Sequence, residues 1–115
     1  MSDGSARQAV FSYGSLQRSD VQLDTFGRVV DGEEDALPGH RLEWSDVDHH
    51  AVRIPGTHAH PVLRVTGDPH DRVFGRVLEL SAAELEAADE YEVALYRRVS
   101  VLLASGRRAW VYVSA

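Results

Sequence analysis

The chain has 115 residues and a formal net charge of −6; 43% of its residues are hydrophobic, and none is cysteine. This length fits one domain with its own core, and the lack of cysteine excludes disulfide bonds, thiolate metal sites and cysteine nucleophiles. The 12 basic residues are all arginines and form no long cluster, so binding to nucleic acid is not expected.

Neither the N-terminal residues nor the apolar runs are typical of a membrane protein. No apolar run approaches the roughly 20 residues that cross a bilayer, and the first residues are polar rather than a signal sequence. We therefore expect a cytoplasmic protein without a membrane partner. Residues 1–8 are predicted to form a flexible tail, and residues 9–115 a single domain.

The N-terminal half of the chain predicts short strands separated by turns at proline and glycine. Residues 20–30 leave two alternatives open: a short helix, or a strand over residues 28–30 closed by a turn. The other predicted elements are a strand over residues 9–13, a turn at Pro38 and Gly39, a short strand over residues 41–44, and an edge strand over residues 61–65.

A strand followed directly by a helix is the clearest local pattern of the C-terminal half. The strand is predicted over residues 73–80, and Gly75 within it indicates a bulge or the close approach of another backbone. Ser81 and Glu84 have the spacing of a capping box, so a helix is expected to begin at residue 82 and to end near residue 91 or 92.

Two further strands, over residues 97–103 and 108–113, are joined by a hairpin turn at Ser105 and Gly106. The chain thus predicts six or seven short strands and one main helix. This pattern indicates an α+β fold, with a mixed or antiparallel sheet that curls toward a barrel and a helix packed at one end.

The junction after the first strand is the first candidate functional feature. Gly14 follows the apolar strand and would allow a sharp turn and close approach to a ligand. The backbone amides of Ser15, Leu16 and Gln17 would then point together and form a small concavity for an anion. The alternative is an ordinary turn at the end of a strand.

Glu92 is the second candidate. On a helix beginning at residue 82 it shares a face with Leu85, so it is expected at the edge of the core. Burial and its place in the last helical turn would raise the pKa of its carboxyl, which suits proton transfer near neutral pH. Arg97 and Arg98 would oppose that rise if they are close.

Two alternatives concern the charges of this helix. If the helix ends early, Glu92 is an exposed loop charge instead of a core-edge carboxyl. The other glutamates of the helix fall largely on other faces and are expected to be solvated: Glu84, Glu86 and Glu90.

Four motifs occur in a fixed order along the chain: Tyr13-Gly14-Ser15-Leu16, Val73-Phe74-Gly75-Arg76-Val77-Leu78, Asp89-Glu90-Tyr91-Glu92, and Tyr96-Arg97. In this order and spacing the chain resembles the gamma-glutamylcyclotransferase-like superfamily, in particular its short AIG2-like members. The resemblance extends over nearly the whole chain, from residue 10 to residue 113.

The resemblance implies a small mixed β-barrel with one main helix and no metal or cofactor. It implies that Glu92 is the general acid/base and that the substrate is a small gamma-glutamyl compound, cleaved to 5-oxoproline and an amine or amino acid. The substrate-binding residues that it implies are Tyr13, Gly14, Ser15, Leu16 and Tyr96. Two positions depart from the family pattern: Ala88 replaces a large apolar residue, and Val93 stands where many active members have glycine.

Other readings of the residues remain open at this point. The second hypothesis is a non-catalytic binding or interaction protein that keeps the cavity. A histidine cluster indicates a metal-dependent hydrolase as a third hypothesis, because His58 and His60 would share a strand face. The cluster consists of His49, His50, His58 and His60. Ser15 as a nucleophile would need a histidine base, and the sequence places neither His40 nor His70 beside it.

Overall fold

The computed structural model describes residues 7–46, 59–93 and 95–114. Within these ranges the chain forms strands and two α-helices, so it is an α+β protein as the sequence predicts. The elements in chain order are β1 Gln8–Ser12, a 3-10 turn Ser15–Gln17, α1 Ser19–Phe26, β2 Gly32–Pro38, β3 His40–Asp46, β4 Ala59–Val65, β5 Arg72–Leu80, α2 Ala82–Glu92, β6 Tyr96–Leu102 and β7 Arg108–Ser114.

Five of the strands form one mixed sheet in the order β2-β5-β1-β7-β6, and β3 and β4 form a separate two-stranded sheet. Strand β1 lies at the centre of the larger sheet. It pairs antiparallel with β5, where Val10 faces Leu78, and parallel with β7, where Val10 faces Trp110. The loop after β1 therefore leaves the sheet at its middle.

The larger sheet curls until its edge strand β2 meets the loop between β6 and β7. The amide of Ala104 donates to the carbonyl of Ala36 at 2.8 Å, and the hydroxyl of Ser105 donates to the Asp35 carboxylate at 2.6 Å. The predicted curl toward a barrel is confirmed, while the strand pairs within the described ranges leave the sheet open at this edge.

The core lies on both faces of the larger sheet. One face packs under the helices and the other under the β3–β4 sheet, whose Leu63 contacts the second cluster. Full burial of one valine, leucine or phenylalanine side chain stabilises the fold by about 1.5–3 kcal/mol. The first cluster contains Val10, Leu16, Val30, Leu78, Leu80, Leu85, Ala88 and Tyr112, and the second contains Phe11, Leu37, Val73, Val77, Leu103, Ala109 and Val111.

Helix α2 begins with the predicted capping box. The Ser81 hydroxyl accepts from the Glu84 amide at 3.1 Å, and the Glu84 carboxylate accepts from the Ser81 amide at 2.9 Å. The prediction that Glu84 is merely solvated is wrong, because the Arg28 guanidinium donates to its carboxylate at 2.7 Å. Hydrogen bonding to Arg28 lowers the pKa of Glu84 to about 2.

Of the two alternatives for residues 20–30, the structure contains the helix, so the described chain has a second α-helix besides the predicted main one. Helix α1 ends at Gly27, whose φ of 77° is left-handed and suits glycine. The strand predicted over residues 28–30 is wrong. There, the buried side chain of Gln22 accepts from the Val30 amide at 2.8 Å and donates to the Leu16 carbonyl at 2.9 Å.

Gly75 confirms the predicted close approach between strands. A Cβ at this position would lie 2.3 Å from the carbonyl oxygen of Ser12 and 2.8 Å from Cζ of Phe11. Only a residue without a side chain lets the end of β1 cross β5 so closely. Gly75 therefore fixes where β1 ends and where the following loop begins.

Candidate active site

The loop after β1 is a tight 3-10 turn anchored in the core. The Gln17 amide donates to the Gly14 carbonyl at 3.1 Å, and the side chain of Leu16 is only 1% exposed. Within the described part of the chain, the amides of Ser15 and Leu16 donate no hydrogen bond, as expected for the first residues of such a turn. The predicted concavity therefore has two available amides, because that of Gln17 is used within the turn.

Gly14 does not adopt the left-handed conformation that glycine favours. Its φ is −135°, and a Cβ there would lie 3.9 Å from Cγ of Pro61, an ordinary contact distance. The sharp change of direction is made by the 3-10 turn itself. The loop at Gly14 thus lies next to Pro61 of β4, at a distance that a side chain at residue 14 would bring into contact.

The end of α2 meets this loop through a hydrogen bond between side chains. The hydroxyl of Ser15 lies 2.7 Å from that of Tyr91, although the two residues are far apart in the sequence. The hydroxyl of Ser15 therefore joins the loop to α2. Because Glu92 directly follows Tyr91, this contact places Glu92 in the same region as the loop.

Glu92 is the last residue of α2 and is half-buried. Burial raises the pKa of its carboxyl from 4.5 to about 7. The carboxyl lies close enough to Tyr13, Tyr96 and Tyr112 for its charge to raise the pKa of their hydroxyls, in each case together with a larger effect of burial. Glu92 is therefore not an exposed loop charge, and the hydroxyls of three tyrosines lie near enough to be affected by its charge.

Each of these three tyrosines donates its hydroxyl hydrogen to an acceptor other than Glu92. Tyr13 donates to the carbonyl of Tyr112, Tyr96 donates to the carbonyl of Pro61 at 2.7 Å, and Tyr112 donates to the Asp89 carboxylate at 2.7 Å. Since none of these hydrogen bonds stabilises the charged form of Glu92, its carboxyl keeps the high pKa that burial produces.

Arg98 does not oppose this rise, because it is paired with another carboxylate. Its guanidinium donates two hydrogen bonds to Asp89, at 3.0 and 3.1 Å, and lies 4.3 Å from the ring centre of Trp110. Asp89, in the third sequence motif, therefore neutralises the charge of Arg98. The sequence did not indicate this pairing, nor the roles of Tyr91 and Tyr112.

The histidines provide no alternative site within the described residues. His40 contacts the carbonyl of Pro38 at 2.8 Å, and His70 contacts Asp68 at 3.3 Å, so neither serves Ser15 as a base. Among the described residues no group of three or more potential ligands could hold a metal ion. His49, His50 and His58 of the predicted cluster lie outside the described residues, and β4 contains His60.

A second hollow, of about 390 Å³, lies beside the loop, where Gln17 faces β2 and β5. It contains the exposed ring of Phe74 but not Glu92 or the tyrosines around it. Its lining is formed by Gln17, Glu34, Asp35, Phe74, Gly75 and Arg76. The hollow is therefore separate from the candidate active site.

Comparison with known proteins agrees with the motifs and the fold. Residues 10–115 match the family described as "Gamma-glutamyl cyclotransferase, AIG2-like". Because this match covers nearly the whole chain, the protein belongs to that family. The resemblance inferred from the sequence is thus confirmed. A comparison with curated proteins found no match.

Solved structures share the fold at low sequence identity. A protein of Arabidopsis thaliana, determined in solution, has a TM-score of 0.68 and 23% identity, with 99% of this chain and 66% of that chain covered. An uncharacterised protein of Homo sapiens has a TM-score of 0.73 and 18% identity over 95% of this chain and 67% of its own. A structure described as gamma-glutamyl cyclotransferase has a TM-score of 0.69 and 17% identity, with 95% and 67% covered.

These similarities establish the common fold, and the chain spans about two thirds of the length of these relatives. Within the described ranges, no helix is long and apolar enough to cross a membrane.

Proposed function

We propose that this protein is a gamma-glutamyl cyclotransferase that converts a small gamma-glutamyl compound into 5-oxoproline and a free amine. One observation carries the proposal: a half-buried carboxyl with a pKa of about 7, that of Glu92, lies beside the loop that follows β1. Membership of the family supports the same reaction.

Glu92 would serve as the general acid/base. In its ionised form it accepts a proton from the alpha-ammonium group of the substrate. The free amino nitrogen then attacks the gamma-carbonyl carbon and forms the five-membered ring. As the bond between the carbonyl carbon and the amine nitrogen breaks, Glu92 gives this proton to the departing amine. It then takes the second proton from the ring nitrogen and passes it to the same amine, which leaves as an ammonium ion while 5-oxoproline keeps one N–H. The net proton balance is zero, and Glu92 returns to its ionised form.

The loop would hold the negatively charged parts of the reacting compound. The available amides of Ser15 and Leu16 suit either the alpha-carboxylate of the substrate or the oxyanion that develops on the gamma-carbonyl. Tyr13, Gly14 and Tyr96 would line the space around the glutamyl group. Tyr13 and Tyr96 have their hydroxyls fixed by hydrogen bonds to carbonyl groups, which keeps the walls of this space rigid.

This reaction requires little chemistry from the protein. The nucleophile is the substrate's own amino group, so positioning for ring closure supplies much of the rate. General acid/base catalysis adds typically 10²–10⁴-fold. A carboxyl with a pKa near 7 is suited to that task at neutral pH, because it both accepts and returns a proton readily.

The proposal is tested by the release of 5-oxoproline from a panel of gamma-glutamyl amides and gamma-glutamyl amino acids, measured by mass spectrometry. We expect Glu92→Gln to lower the rate by about 10²-fold or more. Glu90→Gln is the matched control, because Glu90 is an exposed carboxylate of the same helix, and it should behave as the wild type. Equal rates for wild type and Glu92→Gln would contradict the role of Glu92. Tight binding without 5-oxoproline release would support a non-catalytic binding protein.

A further inference from the structure

We propose that Trp44 is the binding surface for the amine portion of the substrate, and that the preferred amine carries an aromatic ring. This inference rests on the proposed function and extends it to the substrate class. The sequence alone predicts Trp44 only as a core or rim aromatic residue of a short strand.

The strand register connects Trp44 to the candidate active site. Trp44 in β3 directly faces Pro61 in β4, so the two side chains lie on the same face of the hairpin. Pro61 contacts the site in two ways: its Cγ lies 3.9 Å from the Cβ position of Gly14, and its carbonyl accepts the Tyr96 hydroxyl at 2.7 Å. One residue therefore separates Trp44 from both the loop and Tyr96.

The exposure of Trp44 is unusual for its position. Leu63, on the same face of the hairpin, packs against the second core cluster, whereas Trp44 is 67% exposed. The same face of the hairpin therefore packs on the core at Leu63 and exposes the indole ring of Trp44 to solvent. A large exposed aromatic surface next to a candidate ligand site is suited to stacking against a ligand.

The surroundings favour an uncharged aromatic amine over an amino acid. Tyr91 and Val93 flank Glu92 in the sequence and are exposed by 44% and 72%, so the end of α2 also presents apolar surface to solvent. The carboxylate of a released amino acid would need a cation on the face that carries Trp44 and Tyr96. By strand alternation Arg41 and Arg64 lie on the other face of the hairpin, and Arg97 lies on the other face of β6. Arg98 shares its face with Tyr96 but is paired with Asp89 at 3.0 Å.

The orientation of the substrate follows from these positions. With the glutamyl group against the loop and the gamma-carbonyl beside Glu92, the amine portion points toward Pro61 and the outer part of the hairpin. An aromatic ring there stacks on the indole of Trp44 and loses contact with water on one face. The glutamyl group and the amine are then recognised by different elements, the loop and the β3–β4 hairpin.

The test uses two substrates that differ only in a phenyl group: gamma-glutamyl phenethylamide and gamma-glutamyl ethylamide. We expect the wild type to prefer the phenethylamide by about tenfold in kcat/KM, mainly through a lower KM, because stacking is equal in the ground and transition states. Trp44→Ala should abolish that preference, and Trp44→Phe should retain most of it. Phe74→Ala is the matched control, because Phe74 is a similarly exposed aromatic ring outside the site. This variant should show the same substrate preference as the wild type.

A binding measurement separates this inference from the proposed function. In the Glu92→Gln background, calorimetry should show about tenfold tighter binding of the phenethylamide, and adding Trp44→Ala should remove the difference. If 5-oxoproline is released but Trp44→Ala leaves the preference unchanged, the role of Trp44 is wrong and the proposed function stands. If no 5-oxoproline is released yet the binding difference depends on Trp44, the binding surface stands and the reaction is wrong.

Discussion

The hydroxyls of Ser15 and Tyr91 lie 2.7 Å apart and join the loop after β1 to the last turn of α2. This hydrogen bond connects two parts of the candidate active site that are distant in the sequence. Because Tyr91 immediately precedes Glu92, the bond restrains the position of the carboxyl relative to the amides of the loop.

Removing this hydrogen bond should reduce activity more than stability. We expect Tyr91→Phe and Ser15→Ala each to lower kcat/KM by about tenfold, as imprecise positioning does. The cost in the free energy of unfolding should stay at about 1 kcal/mol, since the pair is exposed. Enzyme assays and urea unfolding measure the two effects. The double variant should be no worse than either single variant, and additive losses would show that the two hydroxyls act separately.

The raised pKa of Glu92 predicts that the folded protein loses stability as the pH rises. The folded state holds the proton of Glu92 up to about pH 7, whereas the unfolded chain releases it near pH 4.5. Protons are therefore bound more tightly in the folded state, and the free energy of unfolding falls between these values. The contribution is fully present below about pH 4.5 and is lost as the pH rises through 7. Its upper limit is about 3 kcal/mol.

Urea unfolding of the wild type and Glu92→Gln at pH 5 and pH 8 measures this effect. The difference between the two proteins removes the contributions of histidines, and this pH range lies above the titration of Glu84, whose pKa is about 2. Glu92→Gln should be the more stable protein at pH 8 and lose its advantage toward pH 5. A constant difference across this range would mean that Glu92 titrates normally.

The same carboxyl should set the acid side of the pH–rate profile. Glu92 must be ionised to accept the first proton, so kcat/KM should fall as the pH drops below about 7. An unperturbed glutamate would instead keep the rate high down to about pH 4.3. Steady-state rates from pH 5 to 9 on one substrate distinguish the two cases, and a midpoint below pH 5 would contradict the assignment.

Local signals made part of this fold predictable from the sequence. The capping box at Ser81 and Glu84 needs only residues of the same turn, and it correctly placed the start of α2. Gly75 marked a close approach of two strands, because few other reasons exist for glycine within a strand. Where structure depends on distant contacts, the prediction was wrong or undecided. For residues 20–30 the sequence left a helix and a strand as alternatives, and in the structure the Val30 amide donates to the buried side chain of Gln22 instead of to a neighbouring strand.

The candidate site divides in the same way. The helical period places Glu92 on the side of α2 that faces the core, and its burial agrees with that prediction. The residues around Glu92 come from strands that are distant in the sequence, so which side chains reach the site depends on the register of β6 and β7. That register brings Tyr112 to Asp89, and Asp89 to Arg98. The sequence could name Arg98 as close to Glu92, but not show that another carboxylate is its partner.

Asp89 should affect the chemistry through Arg98 rather than by direct contact with the substrate. Asp89→Asn removes the charge that pairs with Arg98 and weakens the bond from Tyr112, at a cost of about 1.5–3 kcal/mol. The unpaired guanidinium would then lower the pKa of Glu92 and move the acid side of the pH–rate profile to lower pH. The control is Asp24→Asn, at an exposed position of α1. A lower rate at every pH with an unchanged midpoint of the pH–rate profile would limit Asp89 to a structural role.

Gly75 should be more sensitive to substitution than Gly32, a glycine of the neighbouring strand β2. A Cβ at Gly75 would lie 2.3 Å from a backbone oxygen, that of Ser12, whereas at Gly32 the nearest atoms, Cβ of Arg76 and Cδ2 of Leu78, would lie at 3.0 Å. Since a backbone atom cannot move without displacing β1, Gly75→Ala should cost about 1–3 kcal/mol and displace the loop. Gly32→Ala should cost less. Gly75→Ala should therefore lower the activity even at temperatures where circular dichroism shows that the variant is folded. Full activity in folded Gly75→Ala would mean that the end of β1 does not control the loop.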